Sequence, residues 1–337
     1  MTRRVPILLA AAAGLAAAAA LAAATGAADT PLPQATNGNP VTLVAQGVAS
    51  PTQFAFNGAQ VFVAGGGDGH KNGGVYMIKD GKPIALPDSP PSSFGVVWNV
   101  DTLYASAGPK IVAWSAWNGN KFLKKRTVVT APEGTPGFNG LAIGPDGRIY
   151  TGVTLAGSAY DHSHPDMPYA NTFVAITPST GKISVVATGL RQAWMPLFVK
   201  GAKGALTKGP LVSELAGNNP GNPLPRDLLV IARQGASFGF PSCFRSTEAD
   251  CTTFAKPWGW FPGHTSPMGL AQVGNKIYIA MFGGVPRGNP GIVTIPRAGG
   301  AIAPFLTGFK APVIAVGANG KTIYAGDAGG SIYKVTS

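Results

Sequence analysis

Short apolar runs separated by polar, glycine-containing turns recur along most of the chain. In the clearest unit, an apolar strand leads through a polar turn into a second strand that ends in an aromatic residue followed by small residues. This unit occurs at 54–65, 96–108, 139–152, 270–281 and 316–326. The equivalent aromatic residues are Phe62, Tyr104, Tyr150, Tyr278 and Tyr324. Short apolar runs bounded by such turns are typical of β-strands, so the pattern predicts an all-β protein.

The spacing of the units allows them to be counted. Successive aromatic residues are 42, 46, 128 and 46 positions apart, and the long interval has room for one more unit, which 197–214 and 227–234 supply. Each unit continues into a second hairpin, so the pattern predicts six units of four strands, a six-bladed β-propeller. Two separate β-sandwiches are the alternative. The last unit is one strand short, and we expect the strand at 41–48 to complete it and close the ring.

The beginning of the chain is typical of an export signal. Arg3 and Arg4 precede an apolar run from Leu8 to Ala24, and small residues follow. This pattern predicts a signal peptide at 1–27, with a permanent membrane anchor as the alternative. We therefore expect a linker at 28–40, a propeller domain at 41–337, and a secreted protein without membrane attachment after cleavage. In an exported chain, Cys243 and Cys251 are expected to form a disulfide.

The balance of charges favours an anionic partner. The chain has 26 Lys and Arg against 14 Asp and Glu, a formal net charge of +12. Such a balance suits an acidic small molecule, an acidic surface or a nucleic acid. The densest basic cluster is Lys124-Lys125-Arg126, which is too small to predict a nucleic-acid groove. We also expect a monomer or small homo-oligomer.

The long connections between predicted strands fall on one face of the propeller. They include 65–73, 155–171, 214–226 and 235–269, whereas the turns on the opposite face are short. Long loops at one end of a rigid ring are where ligand sites are commonly built. All four histidines lie in these connections, namely His70, His162, His164 and His264.

Several residues of this face have a functional and a structural interpretation. Arg191 is placed either to bind a carboxylate through two hydrogen bonds or to form a salt bridge between blades. His264 follows an aromatic stretch that suits a sugar or planar cofactor, but that stretch equally suits packing over the ring. The His162 and His164 segment is either a metal site or a solvated loop. Asn218 and Asn219 lie in a Gly- and Asn-rich loop whose oxygens suit Ca²⁺.

Four segments carry a family resemblance. The segments 187–192, 225–244, 264–271 and 305–309 resemble motifs of the secreted glucose and sorbosone dehydrogenases. The resemblance implies a six-bladed propeller that binds pyrroloquinoline quinone (PQQ) and Ca²⁺ at the mouth of its channel and oxidises a sugar by hydride transfer to the quinone. It therefore implies a small-molecule carbohydrate as the substrate and partner. It implies cofactor contacts from Arg191, Gln192 and Arg287, and Ca²⁺ contacts from Asn218 and Asn219.

The chain departs from that family at the catalytic base. In the family a His precedes the innermost strand that here begins near Asn139, and 130–140 contains no His. We therefore assign the base to His264. Two alternatives remain open. One is a non-catalytic propeller that binds carbohydrate or protein on the loop-rich face. The other is a metal-dependent lactonase-type hydrolase that uses His162 and His164.

Overall fold

The computed structural model describes residues 31–69, 71–153, 155, 167–216, 225–243, 251–286 and 288–337. Its strands are, in chain order, β1 Gln34–Ala35, β2 Thr42–Gln46, β3 Pro51–Asn57, β4 Gln60–Gly65, β5 Gly74–Lys79, β6 Lys82–Ala85, β7 Val96–Asn99, β8 Thr102–Ala107, β9 Lys110–Trp117, β10 Phe122–Thr130, β11 Phe138–Ile143, β12 Ile149–Val153, β13 Thr172–Ile176, β14 Ile183–Thr188, β15 Ala193–Leu197, β16 Leu211–Glu214, β17 Asp227–Ile231, β18 Ala236–Ser237, β19 Gly259–Phe261, β20 Pro267–Val273, β21 Lys276–Met281, β22 Gly291–Pro296, β23 Ala303–Thr307, β24 Val313–Asn319, β25 Thr322–Asp327 and β26 Ser331–Thr336. A 3₁₀ helix spans Gly204–Lys208. Among the described residues, no helix has the length and apolar character needed to cross a membrane.

The strands form six sheets, each built on four antiparallel strands, and the prediction of a six-bladed β-propeller is confirmed. In order along the chain, the blades are β3 to β6, β7 to β10, β11 to β14, β15 to β17 with β19, β20 to β23, and β24 to β26 with β2. The expected closure is also observed, because β2 pairs antiparallel with β26, matching Leu43 with Tyr333 and Gln46 with Ser331. Within the stretch 28–40, β1 adds a short strand to the outer edge of blade five.

Alternation of side chains within each strand builds the core between neighbouring blades. The repeated aromatic residues all lie in the second strand of their blades. Phe62 is fully buried and stacks on Trp98 of the next blade, with ring centres 5.8 Å apart. Close packing of the innermost strands also requires glycine. A Cβ atom on Gly269 would lie 2.6 Å from the backbone nitrogen of Val316, so only glycine lets β20 and β24 approach this closely.

The innermost strands β3, β7, β11, β15, β20 and β24 surround the centre, each in contact with its two neighbours. We call the end of the ring at which these six strands begin the entry face. Gln53 joins three of them. Its Oε1 accepts from the backbone N–H groups of Val96 and Leu141 at 3.0 and 2.9 Å, and its Nε2 donates to the Leu141 carbonyl oxygen at 2.7 Å. Gln53 therefore ties the innermost strands of blades one, two and three together.

Blade four differs from the sequence expectation in one respect. Its outermost strand is β19, which follows a long connection, 232–258, that leaves β17 at the end opposite the entry face. The segment 235–269 is therefore not a single loop on the entry face. Part of it, β18, pairs parallel with β14 at the edge of blade three. The backbone N–H groups of Phe238 and Phe240 then donate to the carbonyl oxygens of Thr188 and Gly189, at 2.9 and 3.0 Å.

The predicted disulfide is confirmed. Cys243 and Cys251 are bonded, with Cα atoms 5.6 Å apart, and both are buried. The bond closes a short loop at the point where this connection reaches the end of β14. We call the described residues 236–243 and 251–255 the rim strap.

Candidate functional site

Arg191 lies at the entry face, in the connection between β14 and β15, and its side chain is buried. Its guanidinium Nη1 donates to the carbonyl oxygens of Leu215 and Ala216, at 3.3 and 2.9 Å. Its backbone N–H donates to Oε1 of Glu214 at 2.9 Å. Arg191 therefore fixes the start of the connection between β16 and β17 in blade four.

Two buried carboxylates stand at the ends of that connection. Glu214 is the last residue of β16, and Asp227 is the first residue of β17. Burial raises the pKa of Glu214 to about 7, although the backbone N–H and the positive charge of Arg191 both lower it. Burial also raises the pKa of Asp227, against hydrogen bonds from Ser266 and Ala216. The pKa of Arg191 is lowered by burial, despite the attraction of both carboxylates.

Asp227 connects this cluster to the segment that carries His264. Its Oδ1 accepts from the Ala216 N–H at 2.8 Å, while its Oδ2 accepts from the Ser266 N–H at 2.8 Å and from Thr265 Oγ1 at 3.3 Å. His264 is partly exposed, with a left-handed backbone at φ 64°. Asp227, a carboxylate that the sequence analysis did not assign to the site, therefore links the connection that carries His264 to the connection that Arg191 fixes.

His264 is also constrained by blade five. A Cβ atom on Gly283 would lie 2.0 Å from the His264 carbonyl oxygen. Because this neighbour is backbone, any residue larger than glycine at position 283 would displace the connection that carries His264.

Gln192 forms hydrogen bonds with two connections, one in blade three and one in blade four. Its side-chain Oε1 accepts the Leu155 N–H at 2.6 Å, and its backbone carbonyl accepts the Leu215 N–H at 3.1 Å. Arg287, Asn218 and Asn219, together with His70, His162 and His164, lie outside the described residues, so their predicted roles stay predictions.

Two buried side-chain nitrogen atoms in the described part of the chain have no hydrogen-bond partner, Nε1 of Trp194 and Nη1 of Arg226. Trp194 is the second residue of β15, and Arg226 directly precedes β17, so both belong to the entry-face end of blade four. The Arg226 guanidinium carbon lies 3.1 Å from the ring centre of Trp260. Leaving a buried donor without an acceptor costs about 1–3 kcal/mol, so these groups favour a ligand that offers acceptors.

Aromatic and small residues line a cleft at the centre of the entry face. The cleft is bordered by Ser50, Thr52, Phe94, Trp194 and Ile314, which come from four different blades or the connections before them. The rings of Phe94 and Trp194 are 5.4 Å apart, centre to centre. These walls give the centre of the face an apolar surface beside the charged cluster of blade four.

Asn139, close to which the resemblance expects a base, holds two innermost strands together. Asn139 is fully buried, and its Nδ2 donates to the Ala193 carbonyl oxygen at 2.7 Å. It thereby ties β11 to β15.

Glu214, Asp227, Trp194 and Arg226 are the site residues that the sequence analysis did not identify. A signal for the two carboxylates was present, because an acidic residue at each end of one connection between adjacent strands must lie close together. The missing partners of Trp194 and Arg226 have no counterpart in the sequence, since they depend on which groups the fold buries.

The described residues contain no group of three or more His, Cys, Asp or Glu side chains arranged to hold a metal ion. The oxygens of Glu214 and Asp227 accept hydrogen bonds from N–H and O–H donors and lie near the positive charge of Arg191. This pair therefore does not fit a calcium ion.

Comparison with solved structures places the fold among known propellers. The chain is 20% identical to the PQQ-bound aldose sugar dehydrogenase of Streptomyces coelicolor, with 90% of this chain and 99% of that chain covered and a TM-score of 0.66. It is 16% identical to the calcium structure of a Trichoderma reesei carbohydrate-active enzyme of family AA12, with 93% and 99% covered and a TM-score of 0.70. It is 13% identical to the soluble aldose sugar dehydrogenase of Escherichia coli in its apo form, with 88% of this chain and 99% of that chain covered and a TM-score of 0.64.

No protein-family model matches the sequence, and no curated protein matches it. At these identities the structural likeness concerns the fold. The resemblance to sugar dehydrogenase propellers seen in the sequence is confirmed at that level, over about nine-tenths of the chain.

Proposed function

We propose that the protein is an exported sugar dehydrogenase-like quinoprotein that oxidises a sugar, a sugar alcohol or a sugar aldehyde with PQQ at the entry face of blade four. The observation that carries this proposal is the buried network of Arg191, Glu214 and Asp227 beside two donors without partners. Buried charges are costly to maintain, and titratable groups with perturbed pKa values are often found at functional sites. The solved neighbours of this fold include sugar dehydrogenases.

The donor set fits an anionic, planar cofactor. PQQ is a tricarboxylate, and guanidinium groups bind carboxylates through paired hydrogen bonds. Arg226 offers a nitrogen without a described acceptor, stacked on the partly exposed ring of Trp260. We add Arg226 to the proposed contacts Arg191, Gln192 and Arg287.

PQQ, when bound, supplies the hydride acceptor. The protein's own residues orient the sugar and handle the proton. In this proposal the His264 imidazole takes the proton of the sugar hydroxyl. Hydrogen bonds from Thr265 and Ser266 to Asp227 hold its connection in place, while Phe94 and Trp194 shield the centre of the face from water.

The prediction of a Ca²⁺ site rests on fewer residues than the prediction of a PQQ site. Since Glu214 and Asp227 do not fit the ion, the proposed Ca²⁺ contacts remain Asn218 and Asn219, and no step of the proposed chemistry depends on them.

A second candidate is a non-catalytic propeller that binds a carbohydrate on the same face. The observation that favours it is Asn139, whose buried amide is committed to Ala193 where the resemblance expects the base nearby. The lactonase-type alternative rests on His162 and His164, and no described residue adds to it.

Export is part of the proposal. It rests on the predicted signal peptide, and the disulfide between Cys243 and Cys251 supports it because such bonds persist in oxidising compartments.

Arg226→Ala tests the cofactor site. We expect the affinity for PQQ, measured by titration calorimetry, to fall by roughly tenfold or more, since a charged hydrogen bond contributes about 1.5–3 kcal/mol. The matched control is Arg233→Ala, which removes an exposed arginine from the connection after β17, at the opposite end of the blade. Unchanged PQQ affinity in Arg226→Ala would remove the assignment.

Turnover is measured separately, by dye reduction with a panel of aldoses in the presence of PQQ and Ca²⁺. Turnover that is lost in His264→Ala supports the proposed base. Sugar binding without PQQ binding at micromolar concentrations would overturn the quinoprotein proposal and support the non-catalytic propeller.

A further inference from the structure

The outermost strand of blade two, β10, is the longest strand in the described residues and carries a run of exposed positions. It spans Phe122–Thr130, and the five residues 123–127 are all exposed. The sequence has no Asp or Glu between Asp101 and Glu133. We call Lys121, Lys124, Lys125 and Arg126 the cationic strip.

Neighbouring blades add charge on both sides of the strip. Lys79 of blade one reaches the turn before β10, where its Nζ lies 3.4 Å from Asn120 Oδ1. On the other side, Arg126 Nη2 donates to the Pro178 carbonyl oxygen at 3.3 Å, which brings the turn that includes Lys182 alongside. The strip therefore lies within a basic surface that crosses the rim of three blades.

Neutral groups hold two of these cations in place. Lys125 Nζ donates to the Asp88 backbone carbonyl and lies 5.3 Å from the ring centre of Trp114. Arg126 is held by a carbonyl in the same way. Among the described residues, the one ion pair joins Arg148 to Asp146, away from the strip. The cations are thus ordered without an ion pair to a described carboxylate, which lowers the entropic cost of binding an anion.

We propose that the cationic strip is a docking surface for a linear acidic polysaccharide. Lys121, Lys124, Lys125 and Arg126 lie within five residue steps, about 17 Å of extended chain at roughly 3.3 Å per residue. Because successive side chains of a strand alternate in direction, Lys125 reaches towards blade one and Arg126 towards blade three. The charges therefore flank the outer edge of β10, where a chain of regularly spaced carboxylates can bind. This surface is separate from the entry face, so it anchors the protein to a polymer and leaves the proposed sugar site open.

A nucleic acid fits the strip less well. Binding of single strands relies on aromatic rings on which bases stack. The rings beside the strip, Trp117 and Phe122, are instead packed against Phe62, with ring centres 5.5 and 5.6 Å away. Lysine and arginine on an edge strand also discourage edge-to-edge aggregation. That role requires no polymer binding, so it is the explanation that would remain if the test below finds none.

The test measures binding of the protein to polygalacturonate at low ionic strength, with neutral dextran and single-stranded DNA as comparisons. The variant Lys124→Glu/Lys125→Glu/Arg126→Glu is expected to lose roughly tenfold or more in affinity. The control Lys203→Glu/Lys208→Glu/Lys276→Glu changes the net charge equally at exposed positions of blades four and five, and it is expected to bind within about twofold of the parent. A milder variant, Lys124→Gln/Arg126→Gln, keeps Lys125 over Trp114 and guards against misfolding.

Each outcome decides the proposal. Selective loss in the strip variants, with polygalacturonate bound more tightly than DNA, supports it. An equal loss in the control variant would assign the binding to net charge alone and overturn it. The absence of polygalacturonate binding, or tighter binding of DNA, would also overturn it. None of these results depends on PQQ binding or turnover, so the two proposals fail independently.

Discussion

At the scale of single residues, Glu214 reports most directly on the buried network of blade four. Its side chain is buried, and its pKa is raised from an ordinary value of 4.5 to about 7. Because the folded state holds the proton more tightly than the unfolded state, the stability from this group is fully present below about pH 4.5. It is lost as the pH rises through about 7. The shift corresponds to about 3 kcal/mol.

Glu214→Gln is therefore expected to flatten the dependence of stability on pH. The parent should lose up to about 3 kcal/mol of unfolding free energy between pH 5 and pH 8, and the variant clearly less. A residual slope should remain because burial also raises the pKa of Asp227. Denaturant titrations at four pH values measure the free energy of unfolding of each protein. The control variant is Glu133→Gln, which changes an exposed carboxylate. Parallel curves for parent and Glu214→Gln would contradict the assignment.

The same residues show what the sequence analysis could and could not reach in the site. Arg191 and His264 were identified because strand counting placed them in connections of the loop-rich face. Their surroundings were not predicted. Arg191 was expected to bind a carboxylate through two hydrogen bonds or to form a salt bridge between blades, and the structure shows its Nη1 donating to the carbonyl oxygens of Leu215 and Ala216. Hydrogen-bond partners depend on how a connection folds back, and strand periodicity holds no information about that.

At the scale of elements, five blades were predicted from a hairpin with an aromatic residue in its second strand, and blade four lacks that signal. Its second strand, Leu211–Glu214, contains no aromatic residue. Its fourth strand, Gly259–Phe261, has only three residues and follows a long connection. Three residues are too few to show an alternation of apolar and polar side chains. The position of β19 in the blade is therefore determined by its pairing with β17, which the sequence pattern does not reveal.

The rim strap gives a prediction at this scale. The disulfide closes a loop between residues eight positions apart, for which chain entropy gives about 2.5 kcal/mol. In Cys243→Ser/Cys251→Ser we expect the amides of Phe238 and Phe240 to exchange hydrogen faster, because their bonds to Thr188 and Gly189 open with the strap. Hydrogen-exchange mass spectrometry measures this. The amides of β20 in blade five serve as the internal control, and equal protection of the strap in both proteins would contradict the prediction.

At the scale of the whole molecule, the ring is held together at its centre and at its seam. Gln53 bonds three innermost strands at the centre. The seam is the pairing of β2 with β26, which joins the beginning of the described chain to its end. The last blade is thus completed by a strand from the beginning of the described chain, and both ends of that chain then share one unfolding event.

Removal of residues 1–47 tests the seam. The truncated protein lacks β2 and exposes the edge of β26, so we expect its Tm to fall by about 10 °C or more, as a loss of a few kcal/mol implies for a domain of this size. We also expect aggregation through that edge. The control removes residues 1–36, which takes away β1 but retains β2. A synthetic peptide covering 38–48 should restore much of the lost Tm by pairing with β26. If the truncated protein has the same Tm as the control, and the peptide does not change that Tm, then β2 does not contribute to closing the ring. In that case contacts between β24 and β3 alone close it.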